Sequence, residues 1–247
     1  MSGGAERTRE LTDNLAAVRG RIESAVTASG RAETPRLIVV TKFFPLQDVQ
    51  ILASQGVRDV GENRDQEAAP KAEQAAALDL RWHFVGQLQS NKARSVVRYA
   101  HAVHSVDRPS LVAALEKAMA AEAQDRASRG MPLRAELECF IQVDLADGDT
   151  DRGRGGAKPE ETAGLAARIE AAAGLRPAGV MAVAPLGADP AHAFSELARI
   201  SADLVHQFPE ATGISAGMSA DLEAAVAAGA THLRIGSDVL GARPPLR

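Results

Sequence analysis

What most constrains this chain of 247 residues is an alternation repeated eight times: a short β-branched run, then an alanine-rich stretch of helical character. The runs fall at 37–42, 57–61 (VRDVG), 82–86 (WHFVG), 102–106 (AVHSV), 136–145 (ELECFIQVDL), 178–184 (AGVMAVA), 211–215 (ATGIS) and 232–236 (HLRIG). Between them lie helix-like segments such as 108–128 and 190–207, often opened by Asp, Ser or Pro. A further helix, about 6–29, precedes the first run and spaces Leu11, Leu15, Val18, Ile22 and Val26 three to four apart. Such a repeat predicts an α/β protein, a closed parallel TIM (β/α)8 barrel forming a single domain over 1–247. The rival is an open doubly wound sheet, but no GxGxxG fingerprint follows the first strand.

Composition narrows the function classes. Hydrophobic residues at 45% and charged residues at 24% describe a globular chain with ample core. A net charge of −4 offers no electrostatic case for nucleic acid or an anionic membrane. Aromatics at 3% leave little for base stacking. No run approaches membrane-spanning length, and the opening MSGGAERTRE has no apolar signal core. The single cysteine, Cys139, allows neither an internal disulfide nor a cysteine metal cluster, and sits among apolar neighbours as inert packing. These features fit the cytoplasm. No interior linker divides the chain. The one long loop, ADGDTDRGRGGAKPEE after the fifth strand, reads as mobile, and the sequence leaves open whether its 146–158 part gates the site. Its acidic DGDTD argues against anion binding there.

In barrels of this kind, chemistry gathers at the C-terminal ends of the strands. The first strand, RLIVVTKFFP, ends on Lys42, an ammonium group costly to bury, which shares a face with Ile38 and Val40. In THLRIGSDVLGA, Leu233 and Ile235 share one face, while His232, Arg234 and Gly236 share the other. The apolar face belongs against the helices, which puts Arg234 inside the barrel near its mouth. A buried guanidinium needs an acceptor, and an ion pair with a barrel carboxylate is the structural alternative. After the seventh strand, SAGMSADLEAA leads into a helix with Ser219 as the expected N-cap. After the eighth, GSDVLG offers Gly236, Ser237 and a short helix start. Loops seven and eight are the usual phosphate site of this fold. A lysine, a phosphate cup and an inward arginine match the aldehyde, phosphate and ring nitrogen of pyridoxal 5′-phosphate, with Lys42 carrying the aldehyde as an aldimine.

These stretches resemble the YggS/PROSC family of pyridoxal-phosphate-binding homeostasis proteins, which share the barrel of the alanine racemase N-terminal domain. The likeness covers nearly the whole chain: VVTKFFP, RDVGENRDQEAAPK, WHFVGQLQSNKAR with HSVD, and GISAGMSADLEAAVAAGATHLRIGSDVLGAR. It implies Lys42 as the aldimine lysine and Arg234 as the pyridine-nitrogen partner. It also implies Ser215, Ser219, Gly236 and Ser237 at the phosphate, with Asn63 near the ring. The resemblance also implies a rim role for Asn91 and Lys92, although LQSNKAR alone needs to be no more than a helix start. Arg64 stands where the family often has tyrosine, and Phe44 where it often has a second lysine.

The function implied is intracellular pyridoxal phosphate homeostasis without substantial turnover, by a monomer, with cofactor-dependent apoenzymes as recipients. An amino-acid racemase is the enzymatic alternative, and a phosphosugar enzyme using Lys42 is a third. Racemisation needs a proton donor on each face of the cofactor. The chain ends at Arg247 without a second domain, and its only tyrosine, Tyr99, precedes the fourth strand on the far side of the barrel. His83 is the one candidate substitute, if it points inward and high enough. No metal is expected, since His83 and His104 have no ligand partners at metal spacing.

Overall fold

A computed structural model describes residues 2–146 and 155–242. Eight parallel strands close a barrel in chain order, each pairing with the next and the last with the first. They are β1 (Arg36–Val40), β2 (Asp59–Glu62), β3 (Arg81–Phe84), β4 (Ala100–Val106), β5 (Leu137–Gln142), β6 (Leu175–Met181), β7 (Gly213–Ser215) and β8 (His232–Ile235). Around them run α1 (Ser2–Ala28), α2 (Leu46–Ser54), α3 (Asp65–Gln74), α4 (Ala93–Val96), α5 (Pro109–Ser128), α6 (Thr162–Ala171), α7 (Pro190–Gln207), α8 (Leu222–Ala227) and α9 (Ser237–Leu240). The expected barrel is therefore the observed fold. No helix among the described residues is long and apolar enough to cross a membrane.

Side-chain alternation sorts the strand residues into two cores. Val39, Val60, Leu233 and Ile235 point outward and pack with the helices in one continuous cluster. Ala102, Phe140, Ala178 and Met181 form a separate cluster inside the barrel. At four residues, α9 is too short to cover the seam between β8 and β1, and α1 fills that place in the ring. Its Leu11, Leu15, Val18 and Ile22 are at most 3% exposed. Burying each side chain contributes about 1.5–3 kcal/mol, an upper bound. Arg7 fixes one end of α1 through Asp48, at 2.7 Å, and the Leu240 carbonyl, at 3.0 Å. Arg21 fixes the other end, reaching Glu223 at 2.9 Å and Asp238 at 2.5 Å.

Several boundaries differ from expectation. β6 begins at Leu175 rather than 178, running through Pro177, whose ring removes a ladder donor. It is tolerated because the β5–β6 register shifts beside it, between Cys139 and Phe140. β5 stops at Gln142, and Val143 only bridges to Ala157. β2 lies at Asp59–Glu62 rather than 57–61, and Gly213–Ser215 is shorter than expected. The 146–158 loop falls largely on residues 147–154, outside the described residues. Its described end is anchored, since Gln142 Nε2 donates to the Gly155 carbonyl at 2.8 Å.

Candidate functional site

The C-terminal ends of the strands gather the predicted residues around one mouth. Lys42 lies in the turn just past β1, half-buried. An added Cβ on Gly61 would meet Ile38 and Val40 at 3.2 Å, so those three share the inner face. The β1–β2 ladder closes at Val40↔Gly61, where Thr41 N–H donates to the Gly61 carbonyl at 2.8 Å, so Lys42 and Asn63 each lie two residues past its last pair. Among the described residues, the Asn63 side-chain oxygen is buried with no hydrogen-bond partner. Gly86 runs so close beneath that a Cβ there would lie 2.3 Å from the Asn63 carbonyl oxygen.

Arg234 points inward, as its strand alternation predicts, and is 5% exposed. Its head reaches the ends of two other strands. Nη1 donates to Ser215 Oγ at 2.7 Å, and Nη2 donates to the Ala182 carbonyl at 2.9 Å. Neither partner is a carboxylate, so the ion pair weighed as the structural alternative is not what holds this side chain. Burial lowers the guanidinium to about 10, which leaves it charged at neutral pH.

Beneath Arg234 runs a buried chain of polar groups that inspection of single motifs missed. Ser215 Oγ lies 2.9 Å from His104 Nδ1, His104 Nε2 lies 2.9 Å from His83 Nδ1, and His83 Nε2 lies 2.9 Å from Asp59 Oδ1. Arg81 closes the lower end on Asp59 at 2.7 and 2.8 Å. With both rings neutral, the form their burial favours, the end groups fix every donor. Asp59, held well below the usual carboxylate range by His83 and Arg81 against the cost of its burial, can only accept. His83 therefore donates from Nε2 and accepts at Nδ1 from His104 Nε2–H. His104 Nδ1 then accepts from the Ser215 hydroxyl, whose oxygen accepts from Arg234. Both imidazoles are neutral in this arrangement, and burial depresses both. His83 and His104 are fully packed residues, as a strand histidine usually is, but packed as links rather than singly.

One placement refines the sequence reading and another corrects it. Ser215 is wholly buried, and its hydroxyl is engaged by both Arg234 and His104. Ser219 is not a helix cap. α8 begins three residues later behind Asp221, whose Oδ1 accepts from Met218 N–H at 2.6 Å. Ser219 instead faces Ser237, with the two hydroxyl oxygens 3.0 Å apart next to Gly236. The Asp238 N–H points at the same Ser219 oxygen, 3.4 Å away. Arg21 braces this pair from α1, donating to the Ser219 carbonyl at 3.1 Å.

The remaining candidates sit around the rim. Asn91 is exposed and Lys92 half-buried on a 3-10 turn, Ser90–Lys92, ahead of α4. Arg64, standing at a position where a tyrosine was expected, lies 5.4 Å from the centre of the Phe43 ring. Tyr99 precedes β4, as expected, but its hydroxyl reaches forward to Asp65 at the start of α3, 3.4 Å away. Cys139 is buried, and burial pushes its thiol up to about 12, consistent with inert packing.

Comparison with known proteins bears on the family and the fold. Residues 14–244 match the family model described as the alanine racemase N-terminal domain. A Mycobacterium tuberculosis protein named pyridoxal phosphate homeostasis protein is 41% identical, aligned over 98% of this chain and 96% of its own. A Corynebacterium glutamicum protein of the same name is 42% identical over 92% of this chain and 99% of its own. The structure of PipY from Synechococcus elongatus, described as having PLP bound, superposes with a TM-score of 0.76 at 29% identity. That alignment covers 94% of this chain and 100% of PipY.

Proposed function

The chain belongs to the alanine racemase N-terminal domain family and, within it, to the pyridoxal phosphate homeostasis proteins, and from that premise we propose a cofactor-holding role. The protein binds pyridoxal 5′-phosphate through Lys42 and serves the cofactor's intracellular balance, without substantial turnover of a substrate. One observation carries the reading: a charged guanidinium, Arg234, is buried at the barrel mouth with only neutral acceptors. A barrel tolerates that arrangement where a further acceptor arrives with a ligand.

The residues present fit the group. Bound there, pyridoxal phosphate supplies an aldehyde carbon for a lysine amine, with its oxygen leaving as water, along with a phosphate and a pyridine nitrogen. Lys42 provides the amine at the mouth. Ser219, Ser237 and the backbone at Gly236 hold the phosphate. Arg234 faces the ring nitrogen, and Ser215 acts one step behind it by orienting the guanidinium. Asn63, with its unpaired oxygen, takes a donor on the ring side.

The lack of turnover is supported by where the other proton-active groups lie. A racemase needs a second acid–base group across the ring from its lysine. The Tyr99 hydroxyl points at Asp65, and burial raises it above the usual phenol range. His83 is bonded on both nitrogens below Arg234. The same proposal includes a single barrel domain over 1–247, a monomer, a cytoplasmic location, and cofactor-dependent apoenzymes as recipients.

A visible spectrum taken before and after borohydride reduction tests the reading, followed by peptide mapping. The expected results are a yellow protein, a pyridoxyl group on Lys42, and far weaker binding of pyridoxal lacking the phosphate. A Lys42→Ala protein that stays yellow through another lysine sinks the assignment, as does equal affinity for the two aldehydes.

A further inference from the structure

Lys42 stands between two peptide groups, and side chains of one helix hold both. The carbonyl before it, on Thr41, accepts from Lys71 Nζ at 3.1 Å. The amide after it, on Phe43, donates to Glu67 Oε2 at 3.1 Å. Glu67 and Lys71 are four residues apart on α3 and so project from the same face. Neither bond belongs to the barrel ladder. Lys71 is itself fixed by Glu62, whose Oε1 lies 2.7 Å away and also accepts from Thr41 Oγ1 at 2.8 Å. Glu62 is buried, and burial raises its carboxyl, so Lys71 is the charge that keeps this cluster in place.

The turn that this helix grips is strained. Phe43 is the one non-glycine residue with a positive φ among the described residues, at 71°. A phenylalanine persists in that region only where its surroundings over-determine it. Here the surroundings include the turn's own bond from Phe44 N–H to the Thr41 carbonyl at 3.2 Å, the Glu67 carboxylate on the Phe43 amide, Lys42 Nζ 5.8 Å from the ring centre, and Arg64 at 5.4 Å. Released from Glu67, the strained φ keeps the Phe44–Thr41 turn bond but loses one of its restraints, and a rotation at Phe43 re-aims the root of the lysine before it.

We propose that Glu67 and Lys71 are positioning residues for Lys42: the two ends of an α3 clamp that aims the lysine's four-carbon arm into the barrel mouth. The inference rests on the reading that Lys42 takes the cofactor. Reaching a small electrophile with a long flexible amine is a matter of where the arm is rooted, and a misplacement of about 1 Å can cost on the order of a hundredfold in rate. If the two bonds only satisfied buried backbone groups, their loss would lower stability and leave the approach of the amine unchanged.

The test measures the rate at which pyridoxal 5′-phosphate attaches to Lys42, by growth of the visible band and by mass of the borohydride-trapped peptide, beside the melting temperature. Glu67 is 29% exposed, so Glu67→Ala is expected to fold. It should slow attachment about tenfold or more. Glu67→Gln, whose amide oxygen can accept the same N–H, should restore most of the rate. The double variant Glu62→Gln/Lys71→Met, which removes both charges together, should slow attachment as Glu67→Ala does. Attachment by Glu67→Ala at the wild-type rate overturns the inference, whatever happens to its melting. Equal slowing by Glu67→Ala and Glu67→Gln overturns the hydrogen-bond assignment on which the clamp stands. A wild-type protein that takes no cofactor on Lys42 overturns the parent reading and the clamp with it, whereas wild-type attachment with unaltered variants overturns the clamp alone.

Discussion

Inside the barrel His83 and His104 meet with Nδ1 of the first 2.9 Å from Nε2 of the second, and both rings are closed to solvent. They come from adjacent strands, β3 and β4, and carry a directional line of hydrogen bonds from Arg234 down to Asp59. A second proton on either ring would put a charge in the closed interior, which burial disfavours. That fixes how the fold responds to acid.

Stability of the ligand-free protein should fall as pH drops below about 6.5. The unfolded chain takes up protons on these histidines near their ordinary value, whereas burial depresses their native uptake. Because the unfolded state binds more protons in that window, unfolding becomes easier as pH falls. The slope approaches about 1.4 kcal/mol per pH unit for each such histidine. His232, lowered to about 3 by burial first, adds to the same trend. Urea midpoints at pH 7.5, 6.5 and 5.5 measure it, and a flat profile would contradict the neutral line.

Ser215→Ala should destabilise the protein by about 1–3 kcal/mol, because it strands the Arg234 N–H and the His104 acceptor in the interior. It should also weaken cofactor binding, since Arg234 loses its support. Denaturant titration and a binding isotherm read the two effects separately. Unchanged values in both would remove Ser215 from the role assigned to it.

Gly86→Ala should be harmful without touching any functional side chain. Its methyl would sit 2.3 Å from the Asn63 carbonyl oxygen, so the loop after β2 or β3 must shift. Overpacking of this kind costs about 1–3 kcal/mol. Gly20→Ala, in α1 with nothing within 4 Å, is the control and should stabilise by about 0.5–1 kcal/mol. Melting temperatures of the pair should move in opposite directions.

Incubated with L-alanine in deuterated water, the cofactor-loaded protein should exchange the α-hydrogen slowly and accumulate no D-alanine. Rapid exchange with D-alanine appearing, lost in Lys42→Ala, would establish the racemase alternative. The arrangement behind this expectation is the engagement of Tyr99 with Asp65 and of His83 with Asp59 and His104.

The alternation of strands and helices, the place of Lys42 at a strand end and the inward face of Arg234 could all be read from one dimension, because each depends on side-chain period and local propensity. Leu233 and Ile235 told which face of β8 meets the helices, and the structure agrees. The same reading erred on the cap at Ser219, because a serine before a helix looks alike whether it caps the helix or faces a neighbour. Nothing in the spacing of Asp59, His83, His104 and Ser215 marks them as one line. They come from four strands, and their contact depends on the stagger at which the barrel closes, which no single strand encodes. The grip of Glu67 and Lys71 on either side of Lys42 has the same origin. Their helical spacing is plain in the sequence, but that their shared face lies over the end of β1 is decided by how α3 packs back across the barrel wall, a long-range contact that local preferences leave open.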